Sequence, residues 1–313
     1  MNIWRTLNMQ NILNDIILSN KKCTANGKVA SYIPELKNAN SDDLGICVID
    51  KDNNIYCAGD YSKKFTIQSI SKPIILAMAL MDNEWKHVFS KVGMEPSGDP
   101  FNSIMKLETN DTKKPCNPMI NAGAIVTTSL IKGKNLQEKE ERMLSFFRKL
   151  AKNDSLEINK SVYESEKLTG DRNRAMGYLL KNDGFIEGDV EETLDLYFKQ
   201  CSIEIDVVDL ARIGLLFSNY GIDIETGQRV ISESISRMVK TFMVTCGMYD
   251  ASGEFALKVG IPAKSGVGGG IMASVPRKMG IGVFGPALDK KGNSIGGLNV
   301  LEDLSNKLEL NIF

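Results

Sequence analysis

Histidine is nearly absent: His87 is the single histidine among 313 residues. One imidazole excludes a His-rich zinc or non-haem iron centre. It leaves at most one Ser-His-Asp triad, so hydrolase chemistry here needs another base. An excess of either charge is missing too. Lys and Arg total 38 against 39 Asp and Glu, for a net charge of −1, which leaves no electrostatic footprint for nucleic acid. Runs such as Lys63-Lys64 and Lys290-Lys291 are short and read as solvated surface. No segment approaches the roughly 18 uncharged apolar residues of a membrane span. The first residues, MNIWRTLNMQNILNDIILS, lack the apolar core and small-residue cleavage site of a signal peptide. The expectation is a soluble, cytoplasmic protein with no nucleic-acid or membrane partner.

The six cysteines, Cys23, Cys47, Cys57, Cys116, Cys201 and Cys246, form no C-x-x-C pair and read as reduced thiols. Cys47 and Cys57 could face each other across a hairpin. No 20–50-residue repeat is visible, which excludes solenoids and propellers.

Residues 9–18 read as a short amphipathic helix. The apolar runs 43–50 and 53–59 flank a Lys-Asp-Asn turn and read as a β-hairpin. SISKPIILAMALMD follows, a helix apolar on all sides that tolerates Pro73 only in its first turn. An Ala-rich apolar segment covers 120–131, and 136–150 is an amphipathic helix. Further helices are expected at 171–181, 189–199 and 206–218, with a capping box at Asp189 and Glu192. In the last third, 270–276, 279–285 and 294–299 read as strands, and a final helix runs over about 298–308. The fold class expected is α+β: an antiparallel sheet built from both ends of the chain, flanked by helices, plus a helical part. With no linker-like tract, residues 1–313 are expected to form one intertwined unit. Its sheet-bearing part lies near 24–72 and 240–313, and its mainly helical part near 73–239.

The chemistry points to Ser69-Ile70-Ser71-Lys72. Residues three apart on a helix share one face, so the Ser69 hydroxyl and Lys72 ammonium could meet. A serine hydroxyl is a poor nucleophile until its proton is removed. A lysine in a dry pocket can lower its pKa and take that proton, a known variant of triad logic. Other Ser/Lys pairs with this spacing occur, as at Ser129/Lys132, but only Ser69 sits on an apolar helix where a buried lysine is costly unless used. Lys264-Ser265-Gly266 is the second element. S-x-x-K is joined by K-T-G on an edge strand in penicillin-binding proteins and β-lactamases. The run SGVGGG matches neither a P-loop nor a dinucleotide fingerprint.

Eight ordered segments carry a closer resemblance: YIPEL at 32–36, FTIQSISKP at 65–73, EPSG at 95–98, NPMINAGAI at 117–125, ESEKLTGDRN at 164–173, YFKQCSI at 197–203, MYDASGEFA at 248–256 and PAKSGVGGGI at 262–271. From about residue 24 to 307 the chain resembles the bacterial serine-dependent glutaminases, which have a β-lactamase/transpeptidase-like fold. The resemblance implies hydrolysis of L-glutamine to L-glutamate and ammonia through an acyl-enzyme, with no cofactor and no metal. It implies Ser69 as nucleophile, Lys72 as its activator and Tyr249 as a proton relay beside them. Asn121, Glu166, Asn173, Tyr197, Tyr32, Tyr249 and Val267 would bind substrate. Glu166 would pair with its α-ammonium, and the amides of Ser69 and Val267 would form the oxyanion hole. Whether Lys72 or Tyr249 takes the first proton stays open, and the role of Lys264 is less secure. The resemblance also implies a homodimer or homotetramer. Two rivals remain at this stage: another serine acyl-enzyme of the same fold (a β-lactamase, DD-peptidase or esterase), and a non-catalytic amino-acid-binding protein.

Overall fold

The structure, a computed structural model, describes residues 3–109 and 111–313. Helix α1 (Ile3–Asn20) buries Leu13, Ile16 and Ile17. The expected hairpin is strands β1 (Gly45–Asp50) and β2 (Ile55–Gly59), antiparallel, with Cys47 opposite Cys57. Its turn is made by Asp50, whose Oδ1 accepts the amides of Asp52 and Asn54, and by Asn53 at φ 62°.

Strand β3 (Phe65–Thr66) leads through a 3-10 turn, Gln68–Ile70, into α2 (Ser71–Asp82). Every residue from Ser71 to Leu80 is buried, as the all-round apolar pattern requires, and Pro73 occupies the first turn. Then come α3 (Trp85–Lys91), which carries an exposed His87, α4 (Met105–Thr109) and α5 (Asn121–Ser129). The helices α6 (Leu136–Ala151), α7 (Lys160–Leu168), α8 (Asp171–Asn182) and α9 (Val190–Cys201) follow. Asn135 and Asn159 cap α6 and α7 by accepting the amides of Glu138 and Val162. At α9, Asp189 accepts the amide of Glu192 (2.9 Å), but the return bond of a capping box is absent among the described residues. Glu192 is exposed to solvent instead. After β4 (Glu204–Ile205), a reciprocal box does open α10 (Val207–Ser218), made by Asp206 and Asp209. Helix α11 (Glu233–Cys246) and α12 (Ser252–Lys258) precede the strands β5 (Ala263–Ser265), β6 (Gly270–Val275) and β7 (Met279–Phe284).

The third expected strand, 294–299, is instead the start of α13 (Ile295–Leu308). Ser294 Oγ accepts the amide of Gly297 (3.0 Å) and caps the helix. Val300, Leu301 and Leu304 then pack into the core beside Ile271 and Val283. Capping and burial override the strand-like run of apolar residues and glycines.

The sheet is five-stranded and antiparallel, in the order β2-β1-β7-β6-β5, so both ends of the chain contribute to it. Strand alternation divides the core: Ile46 and Val48 join the cluster that holds α1 and α13, whereas Cys47 and Ile49 join the helical cluster. On that second face α10 lies against β1, β6 and β7. Its approach depends on Gly280 and Gly282 of β7. A Cβ there would stand 2.1 Å from the Ala211 and Val207 carbonyl oxygens respectively. Among the described residues, no helix is long and apolar enough to cross a membrane.

Candidate active site

Ser69 lies in the 3-10 turn between β3 and α2 and is 7% exposed. The preceding Gln68 is buried and adopts φ 49°, a left-handed conformation that costs a non-glycine residue roughly 1–2 kcal/mol. Because Ser69 stands at a helical start, its amide lacks an intrahelical acceptor. Neither this amide nor that of Val267 donates a backbone hydrogen bond among the described residues. Val267 belongs to the tight loop joining β5 and β6, closed by Gly266 N to Gly270 O (3.0 Å) and Gly269 N to Gly266 O (2.9 Å). The loop presses against the segment leading to Ser69: a Cβ on Gly268 would stand 2.6 Å from Thr66 O. The amides of Ser69 and Val267 are thus both without a backbone partner among the described residues, in two segments that pack against each other.

Lys72 follows Ser69 by three residues and is fully buried. Its Nζ donates to Asn121 Oδ1 (2.7 Å) and Met119 O (3.3 Å), and lies 5.9 Å from the Phe101 ring centre. No hydrogen bond joins Nζ to Ser69 Oγ among the described residues; Asn121 Oδ1 accepts from the ammonium. Burial pulls the Lys72 pKa down to about 8, against the charges of Cys201 and Glu166. Asn121 opens α5, and its Nδ2 donates to Asn173 Oδ1 (3.1 Å) in the first turn of α8. Lys72, Asn121 and Asn173 therefore form one polar chain.

Glu166 lies on the buried face of α7, four residues after buried Val162. Its Oε2 is buried with no hydrogen-bond partner. Burial raises the carboxyl to about 8, although Lys72 and Gln68 pull it down. Such an atom is a ready acceptor for a cation. Tyr197, on α9, is buried and interacts electrostatically with Glu166. Tyr32 is 54% exposed and lines a cavity of about 460 Å³ with Phe101, Val267, Lys290 and Lys291. It too is within electrostatic reach of Glu166 and Tyr249.

Tyr249 is buried at φ 56° in a 3-10 turn beyond α11. Ser252 Oγ clamps this backbone, accepting from Met248 N (3.0 Å) and donating to Tyr249 O (2.8 Å). The ring packs on Phe101, with centres 4.7 Å apart, and under Lys264 Nζ at 4.4 Å. The hydroxyl makes no hydrogen bond of good geometry. Burial pushes its pKa well up, while the nearby hydroxyls of Ser69 and Ser265 pull it down. Lys264 is fully buried on β5, an edge strand, and its Nζ donates to Ser265 O (2.7 Å). Burial, with the charge of Lys72 adding to it, drives its pKa well below the usual lysine value.

The structure thus brings Ser69, Lys72, Asn121, Asn173, Glu166, Tyr197, Tyr249 and Val267 around one place, with Tyr32 at the rim. Gln68, Phe101 and Ser265 also belong to it and carried no separate signal. Gln68 and Ser265 lie inside the Ser69 and Lys264 motifs, whereas Phe101 comes from a loop without periodicity. The loop 96–99 borders a second cavity of about 360 Å³ that reaches Tyr249 from its other side. Among the described residues, no group of three or more His, Cys, Asp or Glu is placed to hold a metal ion.

The sequence model described as "Glutaminase" matches residues 27–313. The chain belongs to the glutaminase family. It is 77% identical over 304 residues to a glutaminase of Clostridioides difficile, covering 97% of this chain and 98% of that one. A probable glutaminase of Bacillus subtilis superposes with a TM-score of 0.92 at 41% identity, covering 98% of both chains. A B. subtilis glutaminase covalently bound to 5-oxo-L-norleucine, formed by reaction with 6-diazo-5-oxo-L-norleucine, gives a TM-score of 0.89 at 40% identity over 97% of this chain and 99% of that one. The function of a glutaminase is the hydrolysis of L-glutamine to L-glutamate and ammonia. The family has the α+β fold found here, an antiparallel sheet flanked by helices.

Proposed function

We propose that this glutaminase works through an acyl-enzyme on Ser69. Lys72 takes the Ser69 proton as Oγ attacks the side-chain amide carbon of glutamine. The observation that carries this reading is the full burial of Lys72 three residues after Ser69, in the first turn of α2, where desolvation lowers its pKa to about 8. A base poised near the working pH combines a useful free-amine fraction with basicity. Tyr249 is the weaker candidate for that step, because burial holds its hydroxyl protonated. It is suited to the next one: it gives its proton to the departing amine, ammonia leaves, and protonated Lys72 restores the tyrosine. Water then cleaves the ester to release glutamate. The tetrahedral oxyanion faces the amides of Ser69 and Val267, each worth roughly 2.7–4 kcal/mol at the transition state.

Substrate recognition follows from the same groups. Glu166 pairs with the α-ammonium of glutamine, and Asn121, Asn173, Tyr197 and Tyr32 line the pocket around its amino-acid end. A site that pairs both termini rejects a peptide-bound glutamine, whose capped ends leave buried polar groups unpaired. A homodimer or homotetramer, as the family resemblance implies, is checked by light scattering.

6-Diazo-5-oxo-L-norleucine tests the nucleophile, since it places an electrophilic carbon beside the position of the amide. The reagent should inactivate the enzyme and mark the peptide containing Ser69. Ser69→Ala should fold, bind glutamine, lose turnover and escape labelling. Near-normal kcat in Ser69→Ala, or a label on another residue, overturns the assignment.

A further inference from the structure

β2 is the sheet edge opposite β5, and on it Cys57 stands directly across from Cys47 of β1. The ladder fixes the kind of pair they make. Asp50 N donates to Asn54 O (3.1 Å) at one end and Asp60 N to Leu44 O (2.9 Å) at the other. Hydrogen-bonded pairs therefore fall on the even-numbered residues of β1, and Cys47/Cys57 is a non-hydrogen-bonded pair. The Cys57 carbonyl agrees: it turns away from β1 and accepts from Gln10 Nε2 of α1 (2.7 Å). In such pairs the Cα atoms lie about 4.5 Å apart, within the span of about 4.4–6.8 Å that a disulfide bridges. The thiols share one face, and each perturbs the other, raising the pKa of buried Cys47 and lowering that of half-buried Cys57. The other cysteines lie on helices or loops, none across a ladder from another.

We propose that Cys47 and Cys57 are a reversible oxidation site that closes to a disulfide when the chain meets a disulfide oxidant such as oxidised glutathione. The Cys57 thiolate attacks one sulfur of the oxidant, forming a mixed disulfide and releasing one glutathione thiolate, which takes up a proton. Cys47 loses its proton to solvent and attacks Cys57 Sγ, and the second glutathione leaves as its thiolate and is protonated. The pair gives up two electrons and the oxidant is reduced to two thiols. The new bond ties the outer strand to its neighbour at the edge remote from β5, so turnover continues in the oxidised form.

The full chain is treated with oxidised glutathione, alkylated in denaturant and digested with trypsin without reduction. The expected product joins peptide 38–51 to peptide 52–63, lighter than their sum by two hydrogens and separated by a reductant. Cys57→Ser abolishes the linkage, and Cys47→Ser leaves a stable glutathione adduct on Cys57. Glutaminase activity of the cross-linked chain stays within about twofold of the reduced chain, an expectation from the remoteness of the pair. The proposal is overturned if both cysteines remain alkylatable, if the unsubstituted chain retains glutathione on Cys57, if either pairs with another cysteine, or if activity falls in step with the cross-link.

Discussion

Replacing Glu166 by Gln changes a buried carboxyl into its neutral near-isostere and should move activity and stability in opposite directions. With a pKa of about 8 in the empty site, about a tenth of the Glu166 carboxyls are ionised at pH 7. Ionising the rest for the α-ammonium of glutamine costs about 1.4 kcal/mol. Truncating one partner of a buried charge pair typically costs roughly 2–5 kcal/mol. The difference, roughly 0.6–3.6 kcal/mol, predicts a fall in kcat/KM of about threefold to a few hundredfold, carried mainly by KM because the contact is remote from the breaking bond. The acid limb should change as well. Under the proposed mechanism, turnover in the parent needs Glu166 ionised and Lys72 uncharged, and burial brings both pKa values to about 8. The logarithm of kcat/KM should therefore fall below pH 8 with a slope approaching two, and with a slope of one in Glu166→Gln.

Stability runs the other way. A carboxyl whose folded pKa is raised from 4.5 to about 8 leaves stability intact below 4.5 and removes it progressively as pH rises to 8. At pH 7 the loss amounts to about 3 kcal/mol. Glu166→Gln abolishes it, so the substrate-free variant should melt above its parent at pH 7–8, by a margin that closes toward pH 5. Ammonia release against glutamine concentration gives the kinetic arm, and thermal melts across pH give the other. A KM within threefold of the parent, or a melting difference that does not change with pH, refutes the assignment of Glu166 as a buried carboxyl awaiting a cation.

Two further substitutions probe the serine's surroundings. Tyr249→Phe removes a buried hydroxyl that makes no hydrogen bond of good geometry among the described residues. Melting should stay level or rise slightly, whereas kcat should fall roughly 10²–10⁴-fold, and a kcat near normal would exclude the hydroxyl from proton transfer. Gly268→Ala places a Cβ 2.6 Å from Thr66 O and forces the β5–β6 loop off the Ser69 turn. Because the proposed oxyanion donors then separate, kcat should drop at least about tenfold with KM little changed, read by steady-state kinetics beside a melt that shows the protein folded.

Legibility from sequence followed the reach of each interaction. The Ser69/Lys72 spacing, the all-round apolar α2 and the β1–β2 hairpin are local and periodic, and they appear where expected. Lys264-Ser265 on an edge strand was legible from its order in the chain, but its place over the Tyr249 ring was not. Glu166 came from the family resemblance alone, because the E-x-E-K run around it has the composition of a solvated face; only Val162, four residues earlier on the same face, points to its burial. Phe101 carried no signal, since a loop has no period. The strand expected at 294–299 failed for a related reason: Ser294's cap and the packing of Val300, Leu301 and Leu304 are facts about neighbours, not about the run itself.

The backbone distinguishes this site from an ordinary polar patch. Eight non-glycine residues among those described have positive φ. Asn53 and Arg277 sit in hairpin turns, Lys152, Tyr220 and Glu309 follow helices, and Lys113 is in an exposed loop. In each case a turn or cap explains the conformation locally. Gln68 and Tyr249 alone are buried, and they flank the same serine hydroxyl. Each such conformation costs roughly 1–3 kcal/mol. Beside them lie two fully buried lysines and an unpartnered carboxylate oxygen, each penalised by desolvation. A structural role would select against this concentration, because apolar residues of similar volume would be more stable. The all-buried α2 and the Ser252 clamp are what hold it in place. Under the proposed mechanism the penalties fall where an amine, two amides and a carboxyl act on one small amide substrate, and the two buried residues with strained backbone stand beside the serine it would acylate.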